Sequence, residues 1–587
     1  MRGVEILALS YVAVPAIKAK EDSLMGTFVQ FLSLRLLGIT ICLSVSLSAQ
    51  QSSNGAPQAA LKAIRVDALR GHMRFLSDSL LQGRYPGTPG YDIAALYVAS
   101  QLESMGVKPA GDAGTWYQKV RMLRTEPVDS RCSLVLVEKE KEVTLKNEVE
   151  YGFFPDLSHV ESDVEAPVVF AGFGITEPEL NYDDYTGVDV RGKIVVFISN
   201  APSRFPPAFA AYYGFPVQKA RNAVAHGAVG LIEIFLPEND VMLLGSSTWL
   251  DPEENPHGAF REIRAWAGLT QSGAERLFAN APRTLEQAFA FAREGKPQAF
   301  SLPIRVRMKT VNKHRLVESS NVVGKIVGSD PILREQYVIY SAHVDHLGTC
   351  GAVAGSPDTV CHGTLDDASG VAAVLEIARA FTSLAIAPRR SVLFLFSTDE
   401  EDTYGGADFF VHHPTIPANS MIANINIDIM PGMRYDSKDL MAIGGGLSNL
   451  HKNAEFATRS TGYRLTGDVF PERNYFSRGD HYSFALQGVP AIQLRNGLDG
   501  DAVARKWVET RYHTPLDNFD QPIDYKAGVK AAGTIFMLGY DVAQQEDPPA
   551  WNLDNHFVEK VIQPTAKRRI GSAPLPNSNH GSSRNVR

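Results

Sequence analysis

The stretch YSAHVDHLG, residues 340–348, sets two histidines and an aspartate directly after an apolar run. Downstream come TLDDASG with Asp366 and Asp367, SVLFLFSTDEE ending in Glu400 and Glu401, and MIANINIDIM with Asp428. A further histidine, His513, stands in RYHTPLDN. Imidazoles and carboxylates grouped this way suggest a two-metal hydrolase. Two zinc ions about 3.5–4 Å apart need a carboxylate with an oxygen for each, terminal His and carboxylate ligands, and one more carboxylate free to take a proton from water. Asp366, just ahead of a helix, could bridge. Of Glu400 and Glu401, one could bind metal while the other faces the water as general base. Each stretch says little alone: an Asp pair before a helix is commonly an N-cap, a Glu pair a solvated surface feature, and a lone histidine structural. Their joint occurrence, each at a strand end, carries the reading. His346 and His481 read as structural or supporting residues, and His412 and His413 as helix-end or loop residues without a metal role.

These residues need a scaffold that brings them together. From SNVVGKIVG (320–328) onward the pattern is strand, loop, helix, repeated, which implies an α/β fold with a mostly parallel sheet sandwiched by helices. In such a sheet the carboxyl ends of the strands line one crevice, where residues distant in sequence converge. Upstream, DALRGHMRFLSD and YDIAALYVASQLESMG read as helices around the turn-rich LLQGRYPGTPG. Residues 165–199 change character, with short strands in APVVFAGFGI and GKIVVFIS, then a helix in VQKARNAVAHG and a strand in AVGLIEIF. This block reads as an inserted β-rich module. The expected organisation is 66–150 as the N-terminal part of the main domain, 155–300 as the insert and 301–545 as the catalytic part. The segment 546–587, rich in Pro, Asn, Ser and Arg, is expected to be a disordered tail.

At 587 residues, with 44% hydrophobic and 21% charged residues, the chain is too long for one simple core. A net charge of -8 gives no electrostatic reason to bind nucleic acid or an acidic membrane surface. Residues 36–49, LLGITICLSVSLSA, form a short apolar stretch after Arg35 that ends in small residues before polar QQSSNGAPQ. They read as a signal peptide cleaved after Ala49, with translation starting at Met25, so that 1–49 comprises a mispredicted extension plus the leader. The expected location is periplasmic or extracellular, without a stable membrane partner. In an exported protein Cys350 and Cys361, flanking one Gly-rich loop, could form a disulfide, which would leave Cys132 unpaired and buried.

The motifs SAHVDHLG, GTLDDASGVAAVLEIAR, FLFSTDEE, ANINIDIM, RGDHYSFALQGVPAI and YHTPLDN resemble, in order, the signatures of metallopeptidase family twenty-eight over roughly residues 66–545. That family contains bacterial leucyl aminopeptidases, aminopeptidases S and Y, and glutamate carboxypeptidase II. The middle block is similar to the protease-associated domain inserted in many members. The resemblance implies a zinc exopeptidase fold with two zinc ions: His343 and Asp428 as terminal ligands of one, Glu401 and His513 of the other, and Asp366 between them. It makes Glu400 the general base and Asp345 the carboxylate that orients His343. The activity implied is removal of N-terminal residues from peptide substrates. A glutamate carboxypeptidase-like enzyme uses the same metal core and is the nearest alternative. A one-zinc glutaminyl cyclase disagrees with the full ligand set, and an inactive receptor-like protein would have lost ligands that are all present here.

Overall fold

The computed structural model describes residues 57–139, 141–236 and 246–564. The expected leader, 1–49, lies outside them, as do residues 565–587.

The main sheet contains β1 (Tyr117–Pro127), β2 (Ala299–Ile326), β3 (Tyr337–His343), β4 (Ser391–Ser397), β5 (Met421–Asn426), β6 (Asp439–Ile443), β7 (Arg464–Thr466) and β8 (Ala491–Asn496). Their spatial order is β1-β2-β4-β3-β5-β8-β6-β7. The central strands β4, β3, β5 and β8 are parallel, while β1, β2 and β6 pair antiparallel with their neighbours nearer the centre or with each other. YVIYSAH, SVLFLFS and MIANIN are buried at every position, as strands covered on both faces must be.

Helices cover the two faces. Among them are α1 (Val66–Leu76), α2 (Pro89–Ser104), α3 (Ala368–Thr382), α4 (Gly405–His412) and α5 (Tyr525–Gln544). Strand residues alternate between the faces with the period of two that a pleated strand imposes. Val338, Tyr340 and Ala342 with Val392, Phe394 and Phe396 pack into one core with Leu69 of α1, Val374 of α3 and Phe536 of α5. Ile339, Leu393 and Leu395 point the other way and share a core with Phe410 of α4 and Phe484. This is the α/β sandwich expected from the sequence.

β2 is 28 residues long and belongs to two sheets. From Asn312 it pairs with β1, whereas up to Val311 it pairs with Ser133–Glu138 and Glu161–Ala171 of a second sheet. Glu161–Ala171, Ile194–Ile198, Gly230–Ile234 and Trp266–Leu269 run parallel there in that order. Strand pairing therefore draws Ser133–Glu138 into the second sheet, ahead of residue 155. SLVLVE is a short apolar run like those of the main sheet, so the partner strand and not the composition separates the two sheets.

The expected disordered tail is corrected in its first part. Trp551 bridges to Ser448 and donates its indole N–H to the Gly488 carbonyl at 3.0 Å. Phe557, Val558 and Ile562 are buried, with Phe557 edge-on to Phe209 and Phe476. Polar composition masks these widely spaced apolar anchors. Cys350 and Cys361 are bonded, and Cys132 is free and partly buried. Among the described residues no helix is long and apolar enough to cross a membrane.

Candidate functional site

His343, Glu401 and Asp428 leave the carboxyl ends of central strands or the turns that follow them, whereas Asp366 lies just ahead of α3 and His513 just beyond the helix Asp501–Thr510. His343 is the last residue of β3. Glu400 and Glu401 begin a short helix three residues beyond β4, and Asp428 lies two residues beyond β5. Because β4, β3 and β5 are parallel neighbours, these ends adjoin. Asp366 and Asp367 precede α3 but take different parts. Asp367 is the N-cap, accepting from the Gly370 N–H at 2.9 Å and from the Ile429 N–H at 3.0 Å. A Cβ on Gly370 would come within 2.3 Å of the Asp367 carboxylate, so a bare backbone is required for this turn. Asp366 is thereby left to face His343 and His513.

The geometry centres on Asp366. Its Oδ1 lies 3.4 Å from His343 Nε2 and its Oδ2 lies 3.2 Å from His513 Nε2, while His513 Nε2 is 3.1 Å from Glu401 Oε2. Nevertheless His343 Nε2, His513 Nε2 and Asp366 Oδ2 are buried without a hydrogen-bond partner. Zinc bonds of about 2.0–2.2 Å at tetrahedral angles separate two donors on one ion by about 3.3–3.6 Å, close to these spacings. Donor atoms of His343, Asp366 and Asp428 lie within 4.8 Å of one another, as do those of His346, Asp366 and Glu401. The residues present fit two metal ions.

Proton affinities agree with this reading. Burial pushes the Asp366 carboxyl up, but the nearby His343 and His513 rings outweigh it and hold the group well below the usual range. Burial likewise opposes protonation of His513, yet Glu401 and Asp366 raise it to about 10. Burial, then Asp428 and Glu401, push Glu400 well above the ordinary glutamate range. Paired acids and bases of this kind hold protons where a cation would displace them.

Supporting groups set the orientation. His343 Nδ1 lies 3.2 Å from the Asp345 carbonyl oxygen and 3.8 Å from its Oδ1, so a proton on Nδ1 leaves Nε2 bare toward Asp366. The Asp345 carboxylate itself accepts the Glu401 N–H at 3.4 Å. Two supporting residues escaped the sequence reading. Asp517, in the same YHTPLDN stretch as His513, accepts from the backbone N–H groups of Leu365 and Asp366 at 3.0 and 3.1 Å. Arg84, fully buried, donates to the carbonyls of Val344 at 2.7 Å, His362 at 2.6 Å and Gly363 at 3.1 Å, and also to Leu76. His346 Nδ1 is 2.5 Å from Glu401 Oε1, nearer the second cluster than its sequence position suggests. His481 is a core histidine whose ring nitrogens are both unpartnered, and burial lowers it to about 3.

Asp399, Tyr404, Ile429 and His513 all have positive φ, between 56° and 59°. Such conformations are disfavoured for non-glycine residues and concentrate where surrounding structure over-determines a functional turn. A cleft of about 810 Å³ opens beside these residues, walled by Glu400, Asp366, Asp428 and His513 on one side and by Phe154, Phe260 and Trp266 of the second sheet and its loops.

Residues 321–538 match the family model described as Peptidase family M28. The fold is similar to an aminopeptidase from Aneurinibacillus sp. strain AM-1, with a TM-score of 0.53 and 20% sequence identity, covering 84% of this chain and 97% of that one. Aminopeptidase NAALADL1 of Rattus norvegicus is 26% identical over 239 residues, 37% of this chain and 30% of that protein. A probable leucine aminopeptidase 2 of Aspergillus oryzae is 26% identical over 268 residues, 42% of this chain and 50% of its own length. The chain thus spans no more than half of either curated relative. All of the ligand-type side chains gathered here, His343, Asp366, Glu401, Asp428 and His513, lie inside the segment 321–538 that matches peptidase family M28.

Proposed function

We propose that this protein is an exported two-zinc exopeptidase, and specifically an aminopeptidase that hydrolyses the N-terminal peptide bond. The observation that carries the reading is Asp366, whose two oxygens face two different unpartnered histidine nitrogens. His343 and Asp428 would hold one ion, Glu401 and His513 the other, with Asp366 shared. Bound there, zinc supplies Lewis acidity for the scissile carbonyl and a water acidic enough to attack near neutral pH.

The remaining work falls to this chain. Glu400 Oε2 lies 3.7 Å from His343 Nε2, at the edge of the ligand cluster, and serves as the base that accepts the proton of water and delivers it to the departing amine. Glu401 is instead held by His346 and His513, which separates the adjacent carboxylates into base and ligand. The Asp345 carbonyl and carboxylate orient His343 and the start of the Glu400 helix, and Asp517 fixes the turn carrying Asp366. The insert, which we infer to be a protease-associated domain, narrows the cleft with aromatic side chains and so restricts entry to chain ends. The leader at 36–49 and the Cys350–Cys361 bond support export.

A glutamate carboxypeptidase-like polarity is the second reading, favoured by Arg434 and Arg495 in the cleft wall. Burial and then the charge of Arg495 lower Arg434 to about 10, and Arg495 sits 3.9 Å from Asp428 Oδ2. A substrate carboxylate would relieve that repulsion. Hydrolysis of one short peptide is compared with that of its N-acetylated form. The aminopeptidase reading expects zinc-dependent release of the first residue from the free peptide alone. Equal cleavage of both from the carboxyl end moves the assignment to the carboxypeptidase.

A further inference from the structure

Outside the Asp366 centre, the seam between the insert and α4 carries a second kind of cluster. His257 stands in the insert loop between the strands Ser247–Trp249 and Trp266–Leu269. Asp408 and His412 lie four residues apart on α4, one helical turn, and therefore on one face. We propose that His257, Asp408 and His412 form an additional transition-metal site that ties the insert to the main domain, independent of the peptidase reading.

His257 Nε2 is 3.4 Å from Asp408 Oδ2, and donor atoms of all three residues lie within 4.8 Å of one another. The first spacing is too long for a strong hydrogen bond and equals the His343–Asp366 spacing in the main centre. Each donor is oriented by a neighbour. His412 faces the cluster through Nδ1, 3.7 Å from Asp408 Oδ1 and 2.8 Å from the Asp408 carbonyl, so this is the nitrogen an ion would take. Nε2 meets the Gln487 side-chain amide at 2.9 Å, and with that amide turned its oxygen accepts the Nε2 proton and leaves the lone pair on Nδ1. Trp249 donates its indole N–H to Asp408 Oδ2 at 2.7 Å and stacks on the His257 ring at 4.0 Å and 13°, holding both donors in place.

The charge state also suits a metal. Burial lowers His257, and although Asp408 opposes this, the neighbouring His412 adds to the lowering. His413, beside the cluster, is lowered by burial and by His412 as well. A lowered proton affinity leaves the His257 ring readier to give its lone pair to an ion. Two nitrogens and one carboxylate oxygen select zinc, copper or nickel over calcium or magnesium. The sequence hides this site because His257 lies about 150 residues from its partners, in the loop after a strand that pairs with β1, and a pair such as Asp408 and His412 is ordinary at a helix end.

The test is equilibrium dialysis of the full chain against zinc, with the bound metal counted for wild type, His257→Gln, His412→Gln and Asp366→Asn. The proposal expects wild type to bind one equivalent more than either histidine variant, and Asp366→Asn to keep that equivalent while losing metal from the main centre. Far-UV circular dichroism verifies that each variant is folded. Should a histidine variant fail to fold, cobalt added to the Asp366→Asn protein reads the site directly through its visible absorption. Equal zinc counts in wild type and the folded histidine variants, or no cobalt absorption in Asp366→Asn, would overturn the proposal.

Discussion

Glu400→Gln retains its zinc but loses turnover by about 10²–10⁴-fold, the range that removal of a positioned general base produces. The amide keeps the size and hydrogen-bonding reach of the carboxylate but cannot accept the proton of the attacking water. Metal retention follows from the geometry, because the close carboxylate contacts of His513 are to Asp366 and Glu401, and His346 also contacts Glu401. Glu401→Gln is expected to behave in the opposite way and to weaken zinc binding. Steady-state kinetics with zinc analysis on both variants separates the roles. Turnover of Glu400→Gln within tenfold of wild type would remove Glu400 from the base position.

Arg84→Ala destabilises the fold by about 3–5 kcal/mol, the cost of removing one side of a buried charged network. The guanidinium is only 1% exposed, and it donates to carbonyls of Leu76, Val344, His362 and Gly363. Leu76 ends α1, while Val344 and the pair His362 and Gly363 lie at the two ends of the loop that joins β3 to α3, so Arg84 clasps the turns bearing Asp345 and Asp366. Burial lowers its proton affinity, while Asp345, Asp517, Asp367 and Asp366 counter that effect. Removing the side chain leaves buried carbonyls without donors and acidic groups without their cation. Lys, with a single ammonium centre, recovers only part of the loss. The backbone beneath is equally constrained: a Cβ on Gly83, whose φ is 71°, would approach the Gly348 carbonyl to 2.2 Å. The midpoint of urea unfolding measures the effect, and an unchanged midpoint for Arg84→Ala would refute the clasp.

These two residues mark what was and was not legible beforehand. Glu400 could be found from sequence because a strand buried on both faces is a continuous apolar run, and chemistry-bearing residues just past its end stand out. The same holds for His343 after YVIYSA and Asp428 after MIANIN. Arg84 left no comparable trace, since its partners are backbone carbonyls that any residue could supply. Asp517 was hidden for the same reason, its acceptor role being directed at backbone N–H groups of Leu365 and Asp366. His346, read from sequence as structural or supporting, is turned by the bend after β3 onto Glu401. The start of the second sheet was obscured because Ser133–Glu138 is a short apolar run like those of the main sheet. The folded part of the tail was obscured because Trp551, Phe557 and Ile562 are too sparse to form a periodic signal.

Anomalous scattering at the zinc edge from zinc-loaded crystals tests the shared-carboxylate centre most directly. Two peaks about 3.5–4 Å apart are expected on either side of Asp366, one against His343 and Asp428 and the other against Glu401 and His513. A single peak in that cluster, or a second peak bound through His346 with His513 turned away, would contradict the account.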